Sequence, residues 1–588
     1  MCQGNGLAAP IRTCQYPRMG AKAAKRGRLI LGVGAAIAAI LGAAVAGVLA
    51  FAPDLLALSS VGEKCQVGPP EHRNPVDQDS PSLLLIALDG VDRRLLYEMI
   101  ERGQLRGFSA LIAQAGKQFP HAHLDHTLLS VLPSSTIAAW ATVFTGVPPH
   151  AHGVAGNEYF VREKRFLAAP APVSIVDPAP VLKTYTEGYA NDLLEVPTIY
   201  HQLRSKTSDA SSWVSMSQFY AGANELLLAD RTVVGDAFKA LLSGAVQKDD
   251  PGVFKELDEE VIETLIDRLG QAPAPRIITL YLVGTDHYAH VAESGPDSAR
   301  REYLRDVVDP ALNRLREALD GRNALDNRYV LITSDHGHTE VLHDEKHALG
   351  TDDDDELPSV LRGAGFRLRP FELEVDASHD FQSVLAYGGA LAYVYLADRS
   401  TCVEAGTACD FSRPPRFTED VLVVADAFYE ANRTGKLAPG LKGTLDMVLT
   451  RHPRPFAQDD EPFEVYVGGG KLQPVSEYLR SHPHPTYVAV ESRLADLAAG
   501  RFGERAGDIL LVAHNGDVDD PAGRYYFAGL YHSWHGSPSK DDSEVPLIIS
   551  HPTKSGDELK RMTREALGDE PRQMGLAKLI FSMLGVRP

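Results

Sequence analysis

A cluster of hydroxyl side chains precedes a short apolar segment in the stretch from Leu132 to Val154. Ser134, Ser135 and Thr136 lead into small and apolar residues, a pattern typical of the N-terminus of a helix. The unpaired backbone N–H groups and the positive end of the helix dipole at such a position favour an anion. The stretch therefore predicts either an ordinary helix cap or a site that binds an anion.

Aspartates stand at the ends of three continuous apolar segments that have the form of buried parallel strands. Helical patterns lie between these segments, and strands that alternate with helices predict an α/β fold with a doubly wound, mostly parallel sheet flanked by helices. Such sheets bind ligands beyond the carboxyl ends of their strands, so we expect the aspartates at one edge. The segments are Ser82–Gly90 with Asp89, Arg276–Asp286 with Asp286, and Tyr329–Gly337 with Asp335.

The C-terminal half of the chain contains two further apolar segments, Asp508–Ala513 and Val545–Ser550, which we expect to extend the same sheet. Residues 345–530 are long and mixed in character. We interpret most of this region as an insertion that covers the face carrying the aspartates. The pattern thus predicts one catalytic domain, residues 81–588, with an insertion at about 345–530.

Histidines accompany the aspartates at spacings that suit metal binding. Asp286 and His290 are four residues apart, so both reach one site if the strand end turns into a helix. His336 follows Asp335 directly, and His535 precedes the last apolar segment. Oxygen and nitrogen donors of this kind suit zinc, and two divalent metals about 4 Å apart can activate a nucleophile for hydrolysis of a phosphoric ester. Taken singly, each residue also fits a plain role as a helix cap or a structural histidine.

The order of these motifs resembles the alkaline phosphatase superfamily and, most closely, its type I phosphodiesterase/nucleotide pyrophosphatase branch. The match extends in patches from about residue 83 to the C-terminus. It rests on a P-x-x-T segment that ends at Thr136, on the pair Thr145-Gly146 nine residues later, and on Pro149–Gly153. The resemblance implies an alkaline-phosphatase-like fold, a metal-dependent phosphoric-ester hydrolase, and Thr136 as a nucleophile that forms a phospho-threonine intermediate.

The resemblance also implies two divalent metal ions, with zinc as the first choice and manganese or iron as alternatives. Asn157 resembles the residue of the family that contacts the phosphate, although a turn asparagine is the plain alternative. The implied ligands are Asp286, His290 and His535 for the first metal and Asp89, Asp335 and His336 for the second. Four nearby histidines are left unassigned, namely His287, His338, His343 and His347.

Departures from the family pattern bear on the substrate. Ala139-Trp140 stands where phosphodiesterases of this branch often have Asn-His, so nucleotide specificity does not follow. Ser217 and Phe219 stand where the monoesterases have a Lys-x-Arg pair that holds the dianion, which favours diesters. A phosphomonoesterase, a transferase that passes a phosphoryl-linked group to a lipid or glycan, and a catalytically inactive binding module remain the alternatives.

Charge is distributed unevenly along the chain. The formal net charge of −20 argues against binding of a nucleic-acid polymer, which needs a basic surface. Residues 1–28 contain six basic residues and no acid, and residues 29–52 are 24 uncharged, largely apolar residues. A bilayer-spanning helix needs about 20 such residues, and basic residues before it place the N-terminus in the cytoplasm. We therefore expect a cytoplasmic tail (1–28), an uncleaved transmembrane anchor (29–52) and a linker (53–80), with a cleaved signal peptide as the alternative.

This topology places the catalytic domain outside the cytoplasm at the cell membrane, where its substrate would be a phosphate-ester small molecule or a lipid or glycan. Cys402 and Cys409 flank a short loop and could form a disulfide in such an oxidising compartment. No cysteine pattern typical of a zinc site occurs, so we do not expect cysteine among the metal ligands.

Overall fold

The structure is a computed structural model that describes residues 80–587, except for 114–117, 175–178, 230–232, 234–251, 351–355, 376–378, 405, 452–460 and 516–519. The predicted cytoplasmic tail, the predicted transmembrane anchor and nearly all of the predicted linker lie outside the described residues. In the part of the chain that is described, no helix combines the length and the apolar character needed to cross a bilayer.

The strands, in chain order, are β1 (Ser82–Leu88), β2 (Ala122–Asp125), β3 (Tyr159–Val161), β4 (Phe166–Ala168), β5 (Ser212–Ser215), β6 (Glu225–Leu227), β7 (Ile277–Leu282), β8 (Arg328–Ser334), β9 (Thr339–Glu340), β10 (Ser383–Gly388), β11 (Leu391–Leu396), β12 (Leu445–Arg451), β13 (Phe463–Tyr466), β14 (Leu472–Pro474), β15 (Ile509–Ala513), β16 (Ser533–Trp534) and β17 (Leu547–Ser550).

The helices, in chain order, are α1 (Arg93–Glu101), α2 (Arg106–Leu111), α3 (Thr136–Thr145), α4 (Pro149–His152), α5 (Ala179–Thr186), α6 (Tyr189–Asp192), α7 (Ile199–Lys206), α8 (Gly252–Gln271), α9 (Gly284–Val291), α10 (Pro296–Tyr303), α11 (Asp309–Asp320), α12 (Glu356–Gly363), α13 (Leu422–Thr434), α14 (Val475–Ser481), α15 (Val490–Ala498), α16 (Lys540–Ser543), α17 (Gly556–Leu567) and α18 (Gly575–Met583).

Seven of the described strands form the main sheet, in the order β2-β17-β8-β1-β7-β5-β6. Strand β1 runs parallel to β7 and β8, and β5 runs parallel to β6 and β7. At one edge β17 runs antiparallel to both β8 and β2. The predicted α/β fold with a mostly parallel sheet is confirmed. The segment Val545–Ser550 joins this sheet as expected, but in the antiparallel direction.

A second sheet lies within residues 345–530, in the order β10-β11-β15-β12-β13-β14, and all its described pairings are antiparallel. The prediction that Asp508–Ala513 extends the main sheet is therefore wrong, because β15 pairs with β11 and β12 of the second sheet. Leu510 and Val512 face the large core, whereas Ile509 and Leu511 face a separate core beneath α12 and α13. Since both faces are covered, this strand is apolar at every position, which makes it look like a parallel strand.

The middle of the main sheet is completely buried. Every residue from Leu83 to Leu88 is fully buried, and the neighbouring strands β7 and β8 are buried along their whole length. Complete burial of one leucine side chain stabilises a fold by about 1.5–3 kcal/mol, so these strands form a stable base. Groups that follow their carboxyl ends are consequently held in defined positions.

The predicted disulfide between Cys402 and Cys409 is confirmed, with an S–S distance of 2.03 Å. Both cysteines are buried, and Cys402 directly follows a short helical turn, Arg399–Thr401. The bridge closes a loop on the region that carries the second sheet. A disulfide of this kind is stable in an oxidising compartment and rare in the cytosol.

Candidate metal centre

The six predicted metal ligands come together at the carboxyl end of the main sheet, and all six are buried. Asp89 follows β1, Asp335 and His336 follow β8, and Asp286 and His290 lie on α9, which begins just after β7. These positions follow from the parallel arrangement of β1, β7 and β8, whose carboxyl ends meet at one edge. His535 arrives from a different part of the chain, directly after β16.

Asp89, Asp335 and His336 form one compact group of possible metal ligands, with ligand atoms within 4.8 Å of one another. His336 Nε2 lies 3.5 Å from Asp89 Oδ1 and 3.5 Å from Asp335 Oδ2. Thr136 Oγ1 lies 3.2 Å from the same His336 nitrogen. The structure thus places the predicted second metal site next to the predicted nucleophile.

Asp286 belongs to two other groups whose ligand atoms also lie within 4.8 Å of one another. One contains His336 and His535, and the other contains His290 and His338. The predicted trio of Asp286, His290 and His535 is not itself such a group, although His535 Nε2 is 3.8 Å from Asp286 Oδ1. The sequence reasoning missed His338. Its spacing was a usable signal, since residues two apart on an extended chain point to the same side.

The imidazole rings are oriented for metal binding by hydrogen bonds to backbone carbonyl groups. His290 Nδ1 is 2.6 Å from the carbonyl oxygen of Ser533, and His535 Nδ1 is 3.1 Å from that of Ser134. His336 Nδ1 is 2.9 Å from the carbonyl oxygen of Gly337. Because a carbonyl only accepts, each Nδ1 carries the proton and each Nε2 keeps its lone pair. This is the usual arrangement of histidines that bind metals through Nε2.

The buried carboxylates of the centre need positive charge. Within the described residues, Asp89 Oδ1, Asp286 Oδ1 and Asp335 Oδ2 are buried without a hydrogen-bond partner. Burial, followed by repulsion from Asp335, raises the pKa of Asp89 well above its usual value, and burial also raises the pKa of Asp335. Burial lowers the pKa of His535 well below its usual value, so that ring is neutral. Divalent cations would satisfy these oxygens and the imidazole lone pairs together, and the donor set fits such ions.

Thr136 is the first residue of helix α3, and Ser135 precedes it in an extended conformation. Ile137 to Thr145 are all buried, so the helix is held on every side and its N-terminus points at the candidate metal centre. The positive end of the helix dipole at Thr136 favours an anion there. The predicted helix start within the hydroxyl cluster is confirmed.

A buried arginine from the second half of the chain supports the hydroxyl cluster. Arg493 donates hydrogen bonds to Ser134 Oγ at 2.7 Å and to the carbonyl oxygen of Val131 at 3.0 Å. Burial lowers the pKa of Arg493 to about 9. No carboxylate in the described ranges lies within ion-pair distance of this guanidinium group. Its charge therefore adds to the positive potential beneath the loop that precedes Thr136.

Asn157 contacts the same end of helix α3. Its Oδ1 accepts a hydrogen bond of 3.0 Å from the backbone N–H of Ile137, the residue after Thr136. This contact assigns Oδ1 and leaves the side-chain NH₂ group as the donor for a ligand. The structure thus places Asn157 beside the predicted nucleophile, and its contact with phosphate stays a prediction.

Two groups that the sequence reasoning did not single out hold the ligands in place. Tyr281 donates a hydrogen bond to Asp89 Oδ2. Asp258 accepts hydrogen bonds from the backbone N–H groups of Val283 at 3.1 Å and Gly284 at 3.0 Å. Because these amides open helix α9, Asp258 fixes the start of the helix that carries Asp286.

The second sheet touches the metal centre at the turn between β10 and β11. The backbone N–H of Ala390 donates a 3.0 Å hydrogen bond to the carbonyl oxygen of His535. Gly389 has a φ of +72°, and a Cβ atom there would collide with that oxygen and lie 3.0 Å from Trp534. Glycine is therefore required at the tip of this hairpin.

Asp542 connects the loop after His535 to the chain after His338. Its carboxylate accepts hydrogen bonds from the backbone N–H of Ser537 at 2.8 Å and from Thr339 Oγ1 at 2.7 Å. Burial raises its pKa from 3.8 to about 6. A carboxyl with a raised pKa in the folded state stabilises the fold fully below its unfolded pKa, and this contribution is lost as the pH rises through the folded pKa.

We expect Asp542→Asn to remove a pH-dependent part of the stability. Between about pH 4 and pH 6, wild-type protein freed of metal should lose about 3 kcal/mol more unfolding free energy than the variant, at about 1.4 kcal/mol per pKa unit. In the variant, the amide oxygen can accept from Ser537 while the NH₂ group donates to Thr339, so the loop contacts survive. Denaturant unfolding from pH 4 to pH 7 would measure the difference. A parallel decline in both proteins would contradict the assignment to Asp542.

Comparison with known proteins places this chain in a family. The sequence profile of the family described as type I phosphodiesterase/nucleotide pyrophosphatase matches residues 83–386. No curated protein sequence matches the chain closely enough to count as a relative. Among solved structures, the murine ectonucleotide pyrophosphatase/phosphodiesterase 5 aligns with a TM-score of 0.44 and 13% identity, covering 86% of this chain and 95% of that chain.

The human ectonucleotide pyrophosphatase/phosphodiesterase 5 aligns with a TM-score of 0.45 at the same 13% identity and the same coverage of 86% and 95%. An inactive variant of the murine protein in complex with AMP gives the same values. The family profile covers more than half of the chain. The protein therefore belongs to the type I phosphodiesterase/nucleotide pyrophosphatase family of the alkaline phosphatase superfamily and is a phosphoric-ester hydrolase.

Proposed function

We propose that this protein is a two-metal phosphodiesterase that acts through a phospho-threonine intermediate. The observation that carries the proposal is the position of Thr136, whose Oγ1 lies 3.2 Å from His336 Nε2 at the N-terminus of a buried helix. His336 belongs to two of the three groups of possible metal ligands, so the hydroxyl stands beside the whole cluster. We assign Asp89, Asp286, His290, Asp335, His336 and His535 as metal ligands.

The chain's own residues support attack by Thr136 on phosphorus. His336 Nδ1 donates its hydrogen bond to the Gly337 carbonyl oxygen, so the proton of the ring is on Nδ1. His336 Nε2 therefore does not donate a hydrogen bond to Thr136 Oγ1, and the lone pairs of that hydroxyl stay available for attack. The helix N-terminus and the NH₂ group of Asn157 bind the non-bridging oxygens. In a first in-line step the threonine oxygen displaces the leaving oxygen, and in a second step water hydrolyses the phospho-threonine.

Two divalent cations held by the assigned ligands would supply the positive charge that favours deprotonation of the Thr136 hydroxyl and stabilises the leaving oxygen. We propose zinc, because the donors are imidazole nitrogens and carboxylate oxygens, which suit zinc in a catalytic site. Manganese and iron are the alternatives, since both accept the same donors.

A diester is the proposed substrate class. The positions at which monoesterases of the branch carry two cations are occupied here by Ser217 and Phe219, and both side chains are fully buried. A monoester dianion would consequently lack the additional positive charge that it needs at this place. The leaving group can belong to a small molecule, a lipid or a glycan.

We also propose that the catalytic domain lies outside the cytoplasm and is anchored to the cell membrane by residues 29–52. The charge pattern of the N-terminal region supports this placement. The buried disulfide between Cys402 and Cys409 supports it independently, because such bonds persist in oxidising compartments. The second sheet, which borders the centre at Gly389, would then form part of the outward-facing surface that substrates approach.

Parallel assays with para-nitrophenyl monoester and diester substrates test the proposed function. We expect the purified full-length protein, stripped by chelator and reloaded with zinc, to hydrolyse the diester faster than the monoester. Preference for the monoester would instead identify a phosphomonoesterase. Product analysis with a lipid or glycan acceptor would reveal a transferase. Absence of turnover with zinc, manganese and iron alike would overturn the enzymatic assignment.

A further inference from the structure

His338 lies inside the candidate metal centre, although the family motif does not assign it. We propose that His338 is a direct ligand of the metal ion bound by Asp286 and His290. This inference rests on the two-metal function proposed above. It adds a side chain to the first metal site, because the ligand atoms of Asp286, His290 and His338 lie within 4.8 Å of one another.

The distances place His338 closer to the shared carboxylate than any other imidazole. His338 Nε2 lies 2.9 Å from Asp286 Oδ1, compared with 3.4 Å for His290 Nε2 and 3.8 Å for His535 Nε2. The side chain of His338 has no solvent exposure. An imidazole in this position is part of the ligand cluster and not a surface neighbour of it.

Hydrogen bonding determines which nitrogen of His338 carries the proton. The hydroxyl of Ser533 donates a 2.7 Å hydrogen bond to the carbonyl oxygen of Ala289. Its oxygen therefore accepts from His338 Nδ1, which is 3.1 Å away. A ring with its proton on Nδ1 presents the lone pair of Nε2 to Asp286 Oδ1, 2.9 Å away. Two buried acceptors repel each other unless a cation lies between them.

The backbone beside β1 holds the His338 ring in this position. Gly90 follows Asp89 with a φ of +69°, and a Cβ atom there would lie only 2.5 Å from His338 Nε2. The N–H of Gly90 donates a 3.1 Å hydrogen bond to Asp335 Oδ1. The ring is thus packed between the chain segments that carry the two groups of ligands, and little movement away from Asp286 is available to it.

An additional ligand changes how tightly the first metal is held. A catalytic zinc site usually has three protein ligands and one open position. With His338 added to the assigned ligands Asp286, His290 and His535, four side chains would hold the first metal. The substrate would then take a fifth position, since a catalytic zinc ion can expand to five-coordinate. We therefore expect the first metal to be retained strongly, and its affinity to fall when His338 is removed.

Zinc titration of the full-length protein with a competing chromophoric chelator tests this inference. We expect H338A to bind two zinc ions, with one of the two affinities reduced by more than about 100-fold, which exceeds the loss of about 10- to 100-fold typical of a residue that only supports a ligand. H338Q should show the same loss, because its amide can donate to Asp286 but is a poor zinc ligand. H287A is the matched control, since His287 Nδ1 lies 3.5 Å from Asp286 Oδ2 but belongs to no ligand group in the described residues.

A second readout does not depend on catalysis. We expect the visible absorption spectrum of the cobalt-substituted protein to change in H338A and H338Q but not in H287A, because the number of nitrogen ligands changes. Wild-type affinity in H338A would overturn the inference. Wild-type affinity in H338Q alone would also overturn it, since His338 would then only donate a hydrogen bond to Asp286.

The inference and the proposed function fail in different ways. If wild-type protein binds fewer than two zinc ions, the two-metal function itself is wrong. If wild-type protein binds two and the His338 variants match it, only the role of His338 is wrong. Thermal unfolding of the metal-free proteins checks that each variant folds. If H338A does not fold, the zinc affinity and cobalt spectrum of H338Q, which keeps a side chain of similar length, test the role of His338.

Discussion

Replacement of Thr136 by alanine is expected to reduce turnover by about 10⁴-fold or more, because the variant lacks the hydroxyl that we propose forms the covalent intermediate. The Thr136 hydroxyl contacts His336 Nε2, but each of the three groups of possible metal ligands consists of Asp and His residues only. Both metals should therefore remain bound without this hydroxyl. Steady-state rates with the diester substrate and metal analysis of the same preparation would measure the two effects together. Thr136→Ser, which keeps a hydroxyl, should retain part of the activity.

Thr145→Ala is the matched control for this experiment. Thr145 lies at the other end of the same helix, and its hydroxyl donates to the carbonyl oxygen of Ala141 at 2.6 Å. We expect this variant to keep its turnover, since the hydroxyl is remote from the metal centre. Substantial diester hydrolysis by the Thr136→Ala protein would refute the assignment of the nucleophile, whatever its metal content.

Substitution of Asp286 with asparagine is expected to have the second large effect. Its carboxylate is shared by two of the three ligand groups, and three imidazole nitrogens lie within 3.8 Å of its Oδ1. Removing the charge should weaken metal binding by more than about 100-fold and lower turnover in parallel. Because the defect lies in metal affinity, excess zinc should restore part of the activity. Zinc titration together with rates at rising zinc concentration would measure both.

Asp306→Asn provides a control for the loss of one negative charge. Asp306 is half exposed and pairs with the adjacent Arg305 at 2.6 Å, away from the ligand groups. It should bind zinc and turn over substrate like the wild-type protein. Asp286→Asn protein that keeps wild-type zinc affinity would show that this carboxylate is not a metal ligand.

The convergence of Asp89, Asp286 and Asp335 could be predicted because it depends on topology alone. Parallel strands bring their carboxyl ends to one edge of a sheet, so an aspartate after each strand must arrive near the others. The strand order, with β1 between β7 and β8, meets this condition. The roles of these residues as ligands stay predictions, and the variants described above test them.

Other features depend on contacts that a sequence pattern does not contain. The sequence pattern predicts the wrong sheet for β15, because burial on both faces produces the same apolar run in either sheet. His338 was passed over because its approach to Asp286 depends on the path of the chain after β8 and on the space left by Gly90. Arg493 and Asp542 act through hydrogen bonds between segments that are distant along the chain.

The contact at Gly389 has a consequence for how this enzyme can change. The hairpin tip formed by Gly389 and Ala390 contacts the backbone carbonyl of His535 directly. The region that carries the second sheet therefore cannot be exchanged without affecting His535. A chimera that joins a different second-sheet region to the same main sheet must keep the Gly389–Ala390 tip, or it will displace His535. Substrate range and cation affinity are therefore inherited together, and evolution or engineering of one will alter the other.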